Sequence, residues 1–279
     1  MARGGATQRR HEKRIKEGRG QNSGADYQPW SRVQDFSSRG QSNRDLGWTT
    51  GRQHDFHSQG ERNYFLILDW SQSAADIQEQ FPLLPLEKTL AIAKHCGIPH
   101  PANRETKEPE VMTTDFLITI ARPIGGFKVA RTVKPSDELS NGRVIEKFEI
   151  ERRYWKEQGV DWGIVTEKEI DIVVVMNVDW VHKFRHASAL QPMGERLIGQ
   201  VALTLTRMVS HDTRPLSEIA LECDDRLGLE FGSSLTVARH LIASRQWLVD
   251  MSKPIHPCRR LELIGSALAG FGLREAVTK

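Results

Sequence analysis

Four charged side chains fall on faces that otherwise pack. In the run 143–158, the helical stripe i, i+4, i+7, i+11 is Val144, Phe148, Glu151 and Trp155, which carries Glu151 onto the apolar face. A carboxylate there is costly unless a cation or hydrogen-bond donors meet it. Glu61 leads a second stripe, followed by Tyr64, Phe65 and Leu68. On the alternating run from Thr113, residues Asp115, Leu117 and Thr119 share one face, and Phe116, Ile118 and Ile120 share the other. On the next run Lys128, Ala130, Thr132 and Lys134 share a face. Val133 points the other way, so only its backbone carbonyl can serve a site on the Lys134 face.

Three carboxylates and a lysine on adjoining elements of one small sheet suit a hard cation. Mg²⁺ takes oxygen ligands, commonly one or two carboxylates, with waters and phosphate oxygens completing its shell. The lysine would hold or deprotonate a water, or stabilise charge at phosphorus. Together these make the chemistry of metal-assisted phosphodiester hydrolysis. An isolated Asp on a strand or a Lys before a Pro is also common surface decoration. The pattern is loose, with Thr132 where a second acid often stands. Spacing alone leaves both readings open.

The elements that would position these residues are readable. ERNYFLILDW has helical spacing, and AADIQEQFPLL reads as a short strand entering a turn at Pro82. LEKTLAIAKHCGI reads as a helix closed by Gly97. TTDFLITIA and FKVARTVK alternate as strands, with Gly125–Phe127 as the turn between them, and DWGIVTE is a further β-rich run. GRVIEKFEIERRYWKEQG is an amphipathic helix ended by Gly159. Beyond residue 168, EIDIVVVMNVDWVHKF fits helix or strand equally. ERLIGQVALTLTRMV, LSEIALECDDRLGL and SSLTVARHLIASRQWLV are three further helices, the last running towards a strand, and RRLELI is a further β segment. Short helices followed by a strand pair make a winged-helix pattern. Within it, SSLTVARHLIASRQ has Arg239, His240 and Arg245 to offer DNA, though a packing role suits it as well.

The chain has 279 residues and a net charge of only +3, unevenly spread: residues 1–60 hold 11 Lys/Arg against 6 Asp/Glu. Residues 1–57 are rich in Gly, Ser, Gln and Arg and sparse in apolar residues, which disfavours an independent core. Their aromatics, among them Tyr27, Trp30 and Phe36, suggest that this arm docks on the body or on a partner. Lys13, Arg14, Lys16 and Arg19 lie in its most basic stretch and would pair with phosphates, the alternative being a solvated tail. No apolar run reaches about 18 residues, and no apolar h-region opens the chain, so neither a membrane span nor a secretory signal is expected. Three scattered cysteines argue for a reducing cytosol, and their spacing with His95, His100 and His256 matches no closed zinc pattern.

VMTTDFLI, TVKP, EKFEIERRYW, QFPLLP and the N-terminal RIKEGRGQ with DYQPW together resemble the TnsA family, the endonuclease subunits of heteromeric cut-and-paste DNA transposases. The likeness is strong from about Arg14 to Thr166. It implies an α/β chain: a basic arm (1–57), a restriction-endonuclease-like (PD-D/E-x-K) catalytic domain (58–168) and a mostly helical winged-helix domain (169–279). It implies that Glu61 is the helix glutamate, Asp115 the metal-bridging aspartate, Lys134 the catalytic lysine and Glu151 the glutamate of the ERRYW helix, with the Val133 carbonyl lent to a metal. Family patterns often carry Gln two residues before the lysine, where this chain has Thr132, whose hydroxyl would bind a water. The cofactor implied is Mg²⁺, with Mn²⁺ substituting and two ions per site. The implied function is cutting the 5′ strands at transposon-end DNA, beside an RNase-H-like transposase subunit that cuts and joins the 3′ ends and an AAA+ ATPase regulator. The location implied is the bacterial cytoplasm, at the nucleoid when active. The competing expectation is a non-catalytic adaptor bridging transposase and ATPase, and the intact set Glu61, Asp115, Lys134 and Glu151 favours the enzyme. A stand-alone repair or restriction nuclease shares the same core.

Overall fold

The computed structural model describes residues 5–35 and 43–267, so Phe36 and the far end of the C-terminal segment lie outside the described residues. The chain forms two compact units, Met1–Ile170 and Asp171–Lys279. The first holds α1 (Ala6–Lys16), β1 (Asn43–Leu46), β2 (Gln53–Phe56), α2 (Gln59–Trp70), β3 (Ala74–Pro82), α3 (Leu86–Cys96), β4 (Thr113–Ile120), β5 (Phe127–Val133), α4 (Gly142–Glu157) and β6 (Asp161–Val165).

Strands β3, β4, β5 and β6 form a mixed sheet in that order. The first three run antiparallel, and β6 lies parallel to β5. A parallel neighbour needs a crossover, and α4 supplies it. Strand alternation feeds two cores. Leu117 and Ala130 pack with Ile92 of α3 and with Ile150 and Trp155 of α4. Phe116 turns to the other face, where the rings of Phe56 and Phe65 lie 4.8 Å apart and Phe56 is 6.4 Å from Phe116. These three phenylalanines are fully buried, and each contributes about 1.5–3 kcal/mol. The sheet is therefore covered by α3 and α4 on one face and by α2 with the β1–β2 hairpin on the other.

The segment expected as an arm is folded onto this unit. In α1, Thr7 N–H donates to Glu108 Oε2 at 2.9 Å, and His11 lies 3.0 Å from Glu110. The following stretch runs along β3, the edge strand of the sheet. Gln78 donates to Asn22 O, Tyr27 Oη donates to Glu79 O at 3.0 Å, and Trp30 N–H donates to Gln80 O at 3.2 Å. Tyr27 and Trp30 are buried, and the segment shields a sheet edge that would otherwise present unpaired backbone groups.

The second unit holds α5 (Ile172–His182), α6 (Glu195–His211), α7 (Leu216–Leu227), α8 (Ser233–Ala243), β7 (Trp247–Leu248) and β8 (Gly265–Ser266). The ambiguous run 169–184 is helical, and Asp171 caps it by accepting from Val173 and Val174 N–H. RRLELI is not a strand. Pairing with β7 begins only at Gly265, after Ile264 N–H reaches Leu248 O. Its alternation buries Leu261, but among the described residues it meets a strand at its last residue, Ile264, and not before. Among the described residues no helix is long and apolar enough to cross a membrane.

Candidate active site

One cleft of about 550 Å³ is lined by Glu61, Asp115, Thr132, Val133, Lys134 and Glu151 together. Residues 90 positions apart in sequence converge because β4 and β5 are neighbours while α2 and α4 approach them from opposite faces.

Glu61 occupies the first turn of α2. Ser58 caps this helix: its Oγ accepts from Glu61 N–H at 3.1 Å and donates to Glu61 Oε1 at 2.9 Å. His57 N–H donates to Glu61 Oε2 at 3.0 Å. This is a variant of the capping box, in which the Glu61 carboxylate holds the amide of His57, the residue before the N-cap. The helix start also abuts the end of β5, for a Cβ on Gly60 would stand 3.3 Å from Val133 Cγ1.

Asp115 projects from β4, and both its oxygens are held by neutral donors. Val133 N–H donates to Oδ2 at 2.8 Å, and Gln80 Nε2 donates to Oδ1 at 3.2 Å. Val133 thus serves the site through its amide. Burial pushes the Asp115 carboxyl well above the usual range, and the nearby Glu61 and Glu151 push it further. Among the described residues neither Asp115 nor Glu61 has an ion pair.

Glu151 is almost fully buried on α4. Its Oε1 accepts from Thr132 Oγ1 at 2.5 Å, Thr114 Oγ1 at 2.7 Å and Trp162 Nε1 at 2.9 Å. These donors sit on β5, β4 and β6, so one carboxylate ties the crossover helix to three strands. Burial raises its carboxyl despite them. The expectation for Thr132 changes accordingly: its proton goes to Glu151, and only a lone pair is left for a water. Lys134 Nζ lies 2.6 Å from Glu138 Oε2 at the rim of the cleft.

Sequence reasoning missed Gln80, which lies opposite Asp115 by the register of the flanking pairs Glu79–Phe116 and Phe81–Thr114. Its φ of 48° is left-handed, a conformation that costs a residue with a Cβ about 1–2 kcal/mol. Three consecutive buried polar residues, Gln78, Glu79 and Gln80, were the available signal. Also missed was the network behind them. Arg52 holds Glu79 with both nitrogens, His54 Nδ1 lies 2.7 Å from Glu79 Oε2, and His54 Nε2 lies 2.7 Å from Thr50 Oγ1. Burial alone would raise the Glu79 carboxyl, but His54 and Arg52 outweigh it and bring it down to about 2.

The basic residues of the N-terminal segment divide, a departure from the expectation that all four face phosphates. Arg19 is buried, donating to Glu17 at 2.8 Å, to Asp35 at 2.5 Å and to Trp30 O at 3.2 Å. Arg14 also reaches Asp35, at 3.2 Å, and lies over the Trp30 ring. Lys13, 3.8 Å from Glu17, and Lys16 remain exposed. In α8, Arg239 sits 4.8 Å from the Trp180 ring and 5.0 Å from that of Phe184, and the buried His240 meets Phe184 O at 2.7 Å. Packing therefore occupies both basic side chains of that helix, and Arg245 lies beyond its end.

The Glu61–Asp115 pair fits a hard divalent cation. Both side chains offer only oxygen, their charges reinforce each other, and the donors around them are neutral and leave lone pairs free. Among the described residues no three His, Cys, Asp or Glu side chains converge closely enough to hold one ion by themselves. Waters and phosphate oxygens would complete the shell, as Mg²⁺ sites commonly require.

Residues 71–167 match the family model described as TnsA-like endonuclease N terminal, and residues 169–251 match the one described as TnsA endonuclease C terminal. The transposition protein TnsA of transposon Tn7 from Escherichia coli is 38% identical over 233 residues, covering 83% of this chain and 82% of that protein.

Proposed function

The chain belongs to the TnsA endonuclease family, and from that premise we propose that it is a Mg²⁺-dependent DNA endonuclease that cuts the 5′ strands at transposon ends. Mn²⁺ substitutes, and two ions occupy each site. It acts beside an RNase-H-like transposase subunit, which handles the 3′ ends, and under an AAA+ ATPase regulator. One observation carries this reading: Glu61 and Asp115 line one open cleft together, Lys134 at its rim is paired with Glu138, and among the described residues neither acid has an ion pair.

Bound there, a divalent cation supplies Lewis-acid polarisation of the scissile phosphate and lowers the pKa of a water. Asp115 and Glu61 would hold it, oriented by the amides of Val133 and His57 and by Ser58 and Gln80. Lys134 places an ammonium at the rim, where it would stabilise negative charge developing on phosphate oxygens once it leaves Glu138. Glu151 fixes the spacing of the strands that present Asp115 and Lys134. The mixed sheet with its helical crossover supports a restriction-endonuclease-like core in the first unit. Helices followed by a short strand pair support a winged-helix-like second unit.

The test is strand-resolved cleavage of transposon-end DNA with and without the partner transposase, in Mg²⁺, Mn²⁺ and Ca²⁺. Cutting of the 5′ strands in Mg²⁺ and Mn²⁺ is expected. Ca²⁺ is expected to support binding with little cutting, because it prefers looser coordination at roughly 2.3–2.6 Å. Undiminished cutting in excess chelator would contradict the proposal, and end binding without cutting in any metal would favour the adaptor.

A further inference from the structure

We propose that Gln80 is a positioning residue of this site: anchored by Ser31 of the N-terminal segment, its amide sets the two cation-binding carboxylates, Asp115 and Glu61, at their working separation. This rests on the cation reading above and adds to it a residue on β3 and one from the N-terminal segment.

The orientation of the amide follows from its neighbours. Nε2 points at Asp115 Oδ1, 3.2 Å away, and at Glu61 Oε2, 3.5 Å away. Both of these carboxyl oxygens accept, so the NH₂ end faces them. The carbonyl end then faces two hydroxyls, Thr113 Oγ1 at 3.0 Å and Ser31 Oγ at 3.2 Å, both able to donate. With its proton given to Gln80, Ser31 Oγ accepts from His57 Nε2 at 3.1 Å. His57 in turn donates its backbone N–H to Glu61. The contacts therefore close a ring: Glu61, His57, Ser31, Gln80 and back to Glu61, with Asp115 attached at Gln80.

Backbone geometry supports the assignment. Gln80 keeps a left-handed φ of 48° inside a strand, where glycine would be comfortable, and such conformations persist where surrounding structure enforces them. Trp30 N–H, donating to Gln80 O, helps to enforce it from the N-terminal segment. The side chain is nearly fully buried and makes every hydrogen bond that its amide offers towards the cleft. Groups that orient metal ligands without touching the metal commonly govern affinity by roughly 10–100-fold.

The experiment is calorimetric titration of Mn²⁺ into the full chain without DNA, paired with the Mg²⁺ dependence of cutting and a thermal melt of each variant. Gln80→Met keeps the volume and removes the amide. It should weaken Mn²⁺ binding by roughly 10–100-fold and raise the Mg²⁺ needed for half-maximal cutting by a similar factor. The rate at saturating Mg²⁺ should fall much less. Gln80→Gly relieves the left-handed backbone, so it should melt no lower than wild type yet lose the same affinity. Ser31→Ala removes only the anchor and should give a smaller loss of the same kind. Wild-type Mn²⁺ affinity in both Gln80 variants, with binding abolished by Asp115→Ala, would overturn this inference and leave the cation site standing. Absence of Mn²⁺ binding in the wild type would overturn both.

Discussion

Glu79 and Asp115 are acidic residues on neighbouring strands of one sheet, and the chain treats them in opposite ways. Glu79, about 1% exposed, receives two nitrogens of Arg52 and the ring of His54, and its carboxyl is drawn down to about 2. Asp115 receives only neutral donors and has Glu61 and Glu151 for neighbours, and its carboxyl is driven up. One carboxylate is satisfied from within the fold and the other is left wanting a cation. The difference separates a structural acid from a functional one. A buried charge that the chain itself neutralises locks the β1–β2 hairpin onto β3. On the proposed reading, a charge with no ion-pair partner among the described residues, in a cleft open to solvent, marks the cation site.

The largest consequence is for activity. Asp115→Ala should lower cutting by about 1,000-fold or more, a barrier increase of about 4 kcal/mol, while the melting profile stays cooperative. Quantified strand cleavage checks this, and wild-type cutting by the variant would erase the functional half of the comparison.

The counterpart change should act on stability instead. Glu79→Ala strands Arg52 without its partner in the interior, and it should cost about 3–5 kcal/mol in denaturant unfolding. A variant as stable as wild type would show that Glu79 is not the acid that holds the hairpin.

The pH dependence sharpens the same contrast. The Glu79 carboxyl is lower in the folded protein than its unfolded value of about 4.3. Its contribution is thus fully present above that value and is lost as pH falls towards about 2. Glu79→Gln should flatten the stability curve across this window, as followed by denaturant midpoints from pH 5 downward. An unchanged slope would place the acid sensitivity elsewhere.

A smaller effect concerns the N-terminal segment. Of the four basic residues from Lys13 to Arg19, Arg14 and Arg19 are committed to Asp35, which leaves Lys13 and Lys16 exposed and open to phosphate. Replacing both by Ala should reduce the salt slope of DNA binding by about 1.8, at about 0.9 per contact. Affinities of the assembly with its transposase at several salt concentrations measure it, and an unchanged slope would assign the segment to structure alone.

How far the sequence discloses these features depends on the range of the interactions. Asp115 and Glu151 were readable because strand alternation and a helical stripe are local periodicities. Gly97 and Gly159 ended their helices for equally local reasons, both with left-handed φ. The capping box at Ser58 and Glu61 was also local, and its spacing was there to be read. The order of residues 5–35 was not. Its polar composition argues against a core, and it is held instead by contacts with β3 and with the loop carrying Glu108 and Glu110, 49 to 101 positions away. The roles of Arg19 and Gln80 share that cause. A guanidinium bound for Asp35 looks in sequence like one bound for phosphate, and a left-handed glutamine inside a strand has no sequence signature. RRLELI failed in the opposite direction, since alternation makes a strand only where another strand lies alongside.

The contrast between the two acids comes down to one measurement: thermal melting of the metal-free wild type and of Asp115→Asn near pH 7.5, each with and without Mn²⁺. Because the Asp115 carboxyl is raised in the folded protein, its ionisation above the unfolded value of about 3.9 weakens the fold, and removing the charge relieves that. The variant should therefore melt higher than the metal-free wild type, by about 2–4 °C for each kcal/mol relieved. Mn²⁺ should raise the wild-type midpoint and leave the variant unmoved. A variant that melts lower than the metal-free wild type, or a wild type indifferent to Mn²⁺, would contradict the account.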